Sequence, residues 1–195
     1  MSPILGIIAS QNYPRVTNSY ESIQTTTVGS GGSSSISFSS IPSTYKHLQI
    51  RCFGQTNRGT YGIDEGYLRF NSDSASNYSD HYIYGDGSAA AAGADINQTS
   101  IVMGTGWFGT TTGGTFGINI VDILDYTSAN KNKTVRILGG TDHNGLVGGI
   151  GGRVGISSGL WRNSATAINA ITITPANGSL FTQYSSFALY GIKGA

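Results

Sequence analysis

Charge is scarce in this chain. Asp, Glu, Lys and Arg make up 11% of its 195 residues, against roughly 25% in ordinary soluble domains. Eleven basic and ten acidic residues leave a net charge of +1, so no electrostatic footprint for nucleic acid is present and no nucleic-acid partner is expected. Cysteine is nearly missing as well. The lone Cys52 excludes a disulfide within the chain. It alternates with Leu48 and Ile50, which predicts a buried, small apolar side chain. No apolar run approaches the roughly 20 residues of a membrane span, so no membrane partner is expected. The stretch from Ile4 to Ala9 is too short for the apolar region of a secretory signal, and no basic residue precedes it.

Glycine, Ser, Thr, Asn and Tyr fill the gap. Glycine accounts for 29 residues, about twice its usual ~7% share. Polarity therefore comes from hydroxyls and amides, a surface chemistry suited to adaptable contact. The length fits one domain able to bury a core without metal or disulfide.

Residues 1–18 read differently from the rest. Pro3, Ile4, Leu5, Ile7, Ile8, Tyr13 and Pro14 show no amphipathic period, and the prolines oppose a helix. The segment reads as an extended, apolar N-terminal arm, packed along its own domain or docked on a partner. From Ser19 to the end of the chain the sequence reads as a single β-domain of nine or ten short strands. Leu48, Ile50 and Cys52 alternate with His47, Gln49 and Arg51. Phe116–Leu124 is apolar on both faces, which predicts a central strand. Ser128–Asn132 reads as the turn of a hairpin into Thr134–Leu138. The alanine-rich stretch from Ser88 to Ala94 is too short and glycine-flanked for a stable helix. Short strands with glycine-rich turns predict an all-β, jelly-roll-like antiparallel sandwich.

Motifs for chemistry fail on their missing partners. Gly155-Ile-Ser-Ser-Gly159 matches G-x-S-x-G, but no Asp, Glu or His follows Ser157 to complete a triad; it reads as a glycine-rich turn. Gly104–Gly109 matches G-x-G-x-x-G, but the Thr- and Gly-rich continuation forms no helix to hold a pyrophosphate. His81 follows Asp80 and His143 follows Asp142 without tight ligand spacing, so no metal and no cofactor are expected. Lys131, Lys133 and Arg136 read as a solvated hairpin end. No catalytic residue is assigned, and the chain is not expected to be an enzyme. Tyr78, Tyr82, Tyr84, Trp107 and Phe108 form an aromatic set. Of these, Tyr82, Tyr84, Trp107 and Phe108 are the candidates for loop contacts at the surface.

Five strings carry a resemblance: SPILGIIASQ (2–11), SYESI (19–23), IPSTYKHLQIR (41–51), YLRFNSD (67–73) and FALYGIKG (187–194). Together they resemble small virion structural proteins and fibre-terminal domains of tailed phages, cyanophages among them. The resemblance implies a jelly-roll-like sandwich on the particle surface, usually a homotrimer, in contact with the major capsid protein or other virion proteins. The leading expectation is a capsid decoration, or cement, protein whose arm lies on the head shell. The alternative is a tail-fibre or receptor-binding tip contacting host glycans. A secreted glycan-binding or hydrolytic domain ranks third, because no pair of carboxylates stands out.

Overall fold

The computed structural model describes residues 19–103 and 108–194, so the arm and Trp107 lie outside the described residues. The described chain is all β. In order, the strands are β1 (Tyr20–Thr27), β2 (Ile36–Phe38), β3 (His47–Thr56), β4 (Ile63–Asp64), β5 (Gly66–Phe70), β6 (Tyr78–Gly85) and β7 (Ala90–Gln98). They continue with β8 (Ile101–Val102), β9 (Phe108–Thr110), β10 (Gly117–Leu124), β11 (Lys133–Val147), β12 (Ile150–Trp161), β13 (Ile171–Pro175) and β14 (Ser186–Ile192).

They form the expected antiparallel sandwich. The large sheet runs β1-β14-β3-β10-β11-β12-β6-β7, with β9 attached to β3 in parallel and β4 attached to β9. The small sheet runs β2-β13-β5-β8. The predicted central strand is central: β10 lies between β3 and β11. The predicted hairpin at Ser128–Asn132 joins β10 to β11, and β11 then returns in a second, much longer hairpin to β12.

Period-two alternation decides which side chains meet between the sheets. Leu48, Ile50 and Cys52 of β3 are buried, as the sequence predicts, with Val121 and Ile123 of β10 and Val135 and Ile137 of β11 beside them. The small sheet answers with Ile36, Phe38, Leu68, Phe70, Ile171 and Ile173, each no more than 1% exposed. Aromatic clusters close the two ends of this core. Phe108, Phe181 and Phe187 pack edge-on or tilted, with ring centroids 4.8–6.0 Å apart. Trp161 packs on Phe70 and Tyr78, and its indole N–H donates to Asp73 at 2.7 Å.

Four sequence expectations change here. The Ser88–Ala94 stretch, read only as non-helical, supplies most of a nine-residue edge strand, β7. Gly155–Gly159 is not a turn: it lies inside β12, and Ser157 faces the core at 3% exposure. A side chain at Gly159 would meet Ile101 within 2.7 Å, so glycine here lets β12 pack against β8. Lys133 is not at a solvated hairpin end. It is fully buried, and its ammonium donates to the carbonyls of Ser128, Lys131 and Asn163 at 2.6–3.1 Å. Burial pulls its pKa below the usual lysine value. Finally, Tyr78 is a core residue: its hydroxyl accepts from the Phe70 N–H and donates to the Asp73 carbonyl. Burial raises that phenol to about 12.

Candidate contact faces of the large sheet

The outer face of the large sheet has no second layer among the described residues. Strand pairing places one residue from each of four strands in a row across it: Ile120 beside Leu138, Leu138 beside Ile156, and Ile156 beside Ile83. All four point away from the core and are 37–52% exposed. The next row runs Phe53, Ile118, Gly140, Val154 and Gly85. Ile118 is 60% exposed and Val154 63%. Phe53 stacks on Phe116 at 4.8 Å beside them. The first row is a ridge. The second is interrupted by glycines and forms part of an open trough of about 730 Å³, bounded by Phe116, Ile118, Gly140, Asp142 and Val154.

Six aliphatic side chains in two adjoining rows give on the order of 500 Å² of apolar surface, at the upper end of the ~300–600 Å² found for the largest patch on a typical monomer. A polar row borders the ridge. Gln49 donates to Asp122, and Arg136 donates twice to the same carboxylate, at 2.6 and 3.2 Å. An apolar centre with a polar rim is the anatomy of a protein–protein contact.

A second feature opens on the inner side, where β11 and β12 run past the short strands of the small sheet. A cleft of about 310 Å³ is lined by Arg58, Tyr61, Glu65, Ile150 and Arg153. Arg58 lies over Tyr61 at 4.4 Å and Arg153 over Tyr84 at 4.5 Å. Tyr84 in turn stacks on Tyr82 at 6.3 Å. Burial, aided by the neighbouring Asp64 carboxylate, raises the pKa of Glu65. Asp80, on the same face of β6, is 1% exposed; its Oδ2 accepts from the Val102 N–H and its Oδ1 has no hydrogen-bond partner. Burial raises its pKa to about 6, and the Asp95 and Glu65 carboxylates push the same way.

The predicted contact residues thus divide. Tyr82 and Tyr84 are half-buried and adjacent, but they stand on strand β6, not on a loop. Phe108 is fully buried against Phe181 and Phe187 and makes no surface contact. Trp107 and the arm residues Pro3, Ile4, Leu5, Ile7, Ile8, Tyr13 and Pro14 fall outside the described residues. His81 is exposed on β6, whereas His143 bonds Thr115 at 3.1 Å. Among the described residues no group of three or more His, Cys, Asp or Glu is placed to hold a metal ion. The outer face was missed by the sequence reading. Its signal was the outward row Ile118, Ile120 and Leu124 of β10, apolar on the side opposite Val121 and Ile123.

No protein-family model matches this sequence, and no curated protein does. Among solved structures the chain is similar to an alginate lyase mutant in complex with alginate tetrasaccharide. The match has 11% identity and a TM-score of 0.33, and covers 86% of this chain and 78% of that one. This corrects the expectation of a chain without enzymatic activity: with a lyase among the matching structures, that exclusion is withdrawn. At this TM-score the match transfers no activity, substrate or residue.

Proposed function

We propose that this chain is a structural protein of a phage virion, a decoration protein that binds and stabilises the head shell. The observation that carries the reading is the two-row apolar face of β10, β11, β12 and β6, left open on a chain that has few charges elsewhere. Such a face is costly to leave in water and is suited to a standing contact with protein. The sequence resemblance to virion proteins supports the particle surface as the place, and the apolar segment from Pro3 to Pro14 supplies a further candidate for holding the shell. Heating particles that lack this protein tests the reading. Their heads should open at lower temperature than complete particles; unchanged head stability would overturn it.

A second reading, a fibre tip that contacts host glycans, is favoured by the Tyr82–Tyr84 stack with Arg153 beside it. Aromatic faces and a guanidinium are groups that pack on sugar rings and bond their hydroxyls. Antibody labelling separates the two. Staining over the head supports decoration, and staining at the tail supports the fibre.

A further inference from the structure

The outer face is patterned for a copy of itself. Along β11 the outward residues are Arg136, Leu138, Gly140 and Asp142: a cation, a knob, a hole and an anion, spaced two residues apart. Along β6 the order is His81, Ile83 and Gly85, so a knob again precedes a hole at the same level, because Leu138 pairs with Ile156 and Ile156 with Ile83. A two-fold axis in the plane of the face, perpendicular to the strands and between the two rows, reverses this order. It sets Leu138 over the partner's Gly140 and Ile83 over the partner's Gly85. It also sets Arg136 over the partner's Asp142, while Ile120 and Ile156 meet the partner's Ile118 and Val154.

We infer that two copies of this chain associate face to face through β10, β11, β12 and β6, with the ridge of each in the trough of the other. Four observations support a second copy as the occupant. The β11 and β6 columns are self-complementary, knob over hole, as an isologous two-fold interface requires, and the β10 and β12 columns bring aliphatic side chains into apolar contact. The hole is open: a Cβ at Gly140 meets only Arg153 O at 3.5 Å and Val154 Cγ2 at 3.9 Å. The charges complement each other, because the Arg136 side chain is 66% exposed even while paired with Asp122, and Asp142 lies at the opposite edge. The area also suffices: an apolar patch on the order of 500 Å² plus its polar rim approaches the ~800 Å² per partner of a standard interface. Sheets packed face to face stay within about 30° of alignment at roughly 10 Å, so overlap is best on the central strands, where the pattern lies.

The inference rests on the reading of this face as a protein contact. It names a second copy as the protein that this face meets, which differs from the homotrimer that the sequence resemblance implies, and it leaves the apolar segment from Pro3 to Pro14 as the candidate for holding the shell. Sedimentation velocity of the full chain over a wide concentration range tests it. A dimer is expected. Leu138→Arg should weaken association by at least tenfold, and so should Gly140→Leu, which fills the hole without disturbing the monomer. The exchange of charges sharpens the register: Asp142→Arg alone should weaken the dimer, and Asp142→Arg with Arg136→Asp should regain part of it. Circular dichroism and unfolding of each variant confirm that it is folded. A monomer at all concentrations, a trimer, or a dimer indifferent to Gly140→Leu would overturn the inference. A monomer that still coats and protects particles would overturn the dimer alone. A dimer that is absent from particles would overturn the virion role alone.

Discussion

The two faces of the large sheet carry the same kinds of residue and meet opposite fates. On the inner face Leu48, Ile50, Val121 and Ile137 are fully buried; on the outer face Ile118, Ile120, Leu138 and Ile156 are 37–60% exposed. They alternate along the same strands, so local preference cannot separate them. What separates them is the partner layer. The inner face has the small sheet, with Phe38, Phe70 and Ile173 against it, and its burial holds the domain together. The outer face leaves its apolar area exposed among the described residues, and the proposed association would cover it.

Substitutions that shorten side chains separate the faces most strongly. Ile50→Ala or Ile137→Ala should cost about 2–5 kcal/mol of folding stability, through lost transfer energy and the cavity left behind. Leu138→Ala should change the stability of the isolated monomer by less than ~0.5 kcal/mol. Denaturant unfolding at high dilution measures both. Equal losses on the two faces would erase the distinction.

Lys133 gives the next largest effect, because it is the one charge placed in line with Val135 and Ile137 on the inner side of β11. Lys133→Ala strands three carbonyls without their donor and should destabilise by about 2–4 kcal/mol. Lys131→Ala, on the exposed turn, should cost far less even though it removes the ion pair with Asp125. The same unfolding assay decides it.

Acid should then act on the inner side in an unusual direction. Asp80 titrates at about 6 in the folded chain, above the ordinary aspartate value near 3.9. Between those values the folded state binds the extra proton. Stability should therefore rise as pH falls from 7 towards 5, by on the order of 1 kcal/mol, and decline again as pH is raised through 6. Asp80→Asn should remove most of that slope and leave the share of Glu65, whose pKa burial also raises. The half-buried carboxylate Asp125, held near 2 by the Lys131 and Lys46 ammoniums, works oppositely, losing its contribution only as pH falls towards 2. Urea midpoints between pH 5 and 7 provide the readout.

The smallest effect concerns Cys52. Burial raises its thiol to about 12, so alkylation of the native chain at neutral pH should be negligible and should become rapid in denaturant. Fast modification of the native chain would mean that the inner layer opens easily.

How much of this was legible in the sequence follows from the same contrast. Strands with one polar and one apolar face, such as β3, declared both their existence and their inward side. Strand β10 declared itself central, but apolar residues on both sides hid which face would be covered. Strand β7 was missed because alanine has little strand preference, and its pairing with β6 is a tertiary matter. Val154 and Ile156 marked a strand in β12, but its glycines concealed its extent: Gly155–Gly159 read as a turn, where Gly159 makes room for Ile101. Lys133 was misread from its charge, although its parity with Val135 and Ile137 pointed inward. Phe108 was read as a surface candidate and Tyr78 as one of the same aromatic set, yet aromatic rings serve cores as readily as contacts, and only packing decides.

The central claim is that the outer face of the large sheet is a contact face. Carbene footprinting of the full chain, read by mass spectrometry at high and low protein concentration, tests it most directly. Leu146, 78% exposed at the far end of the β11–β12 hairpin, serves as the internal reference. Labelling of Leu138, Ile156 and Ile120 should fall several-fold on association while Leu146 keeps its rate. Labelling of the ridge that follows Leu146 at every concentration, and on assembled particles too, would contradict the account.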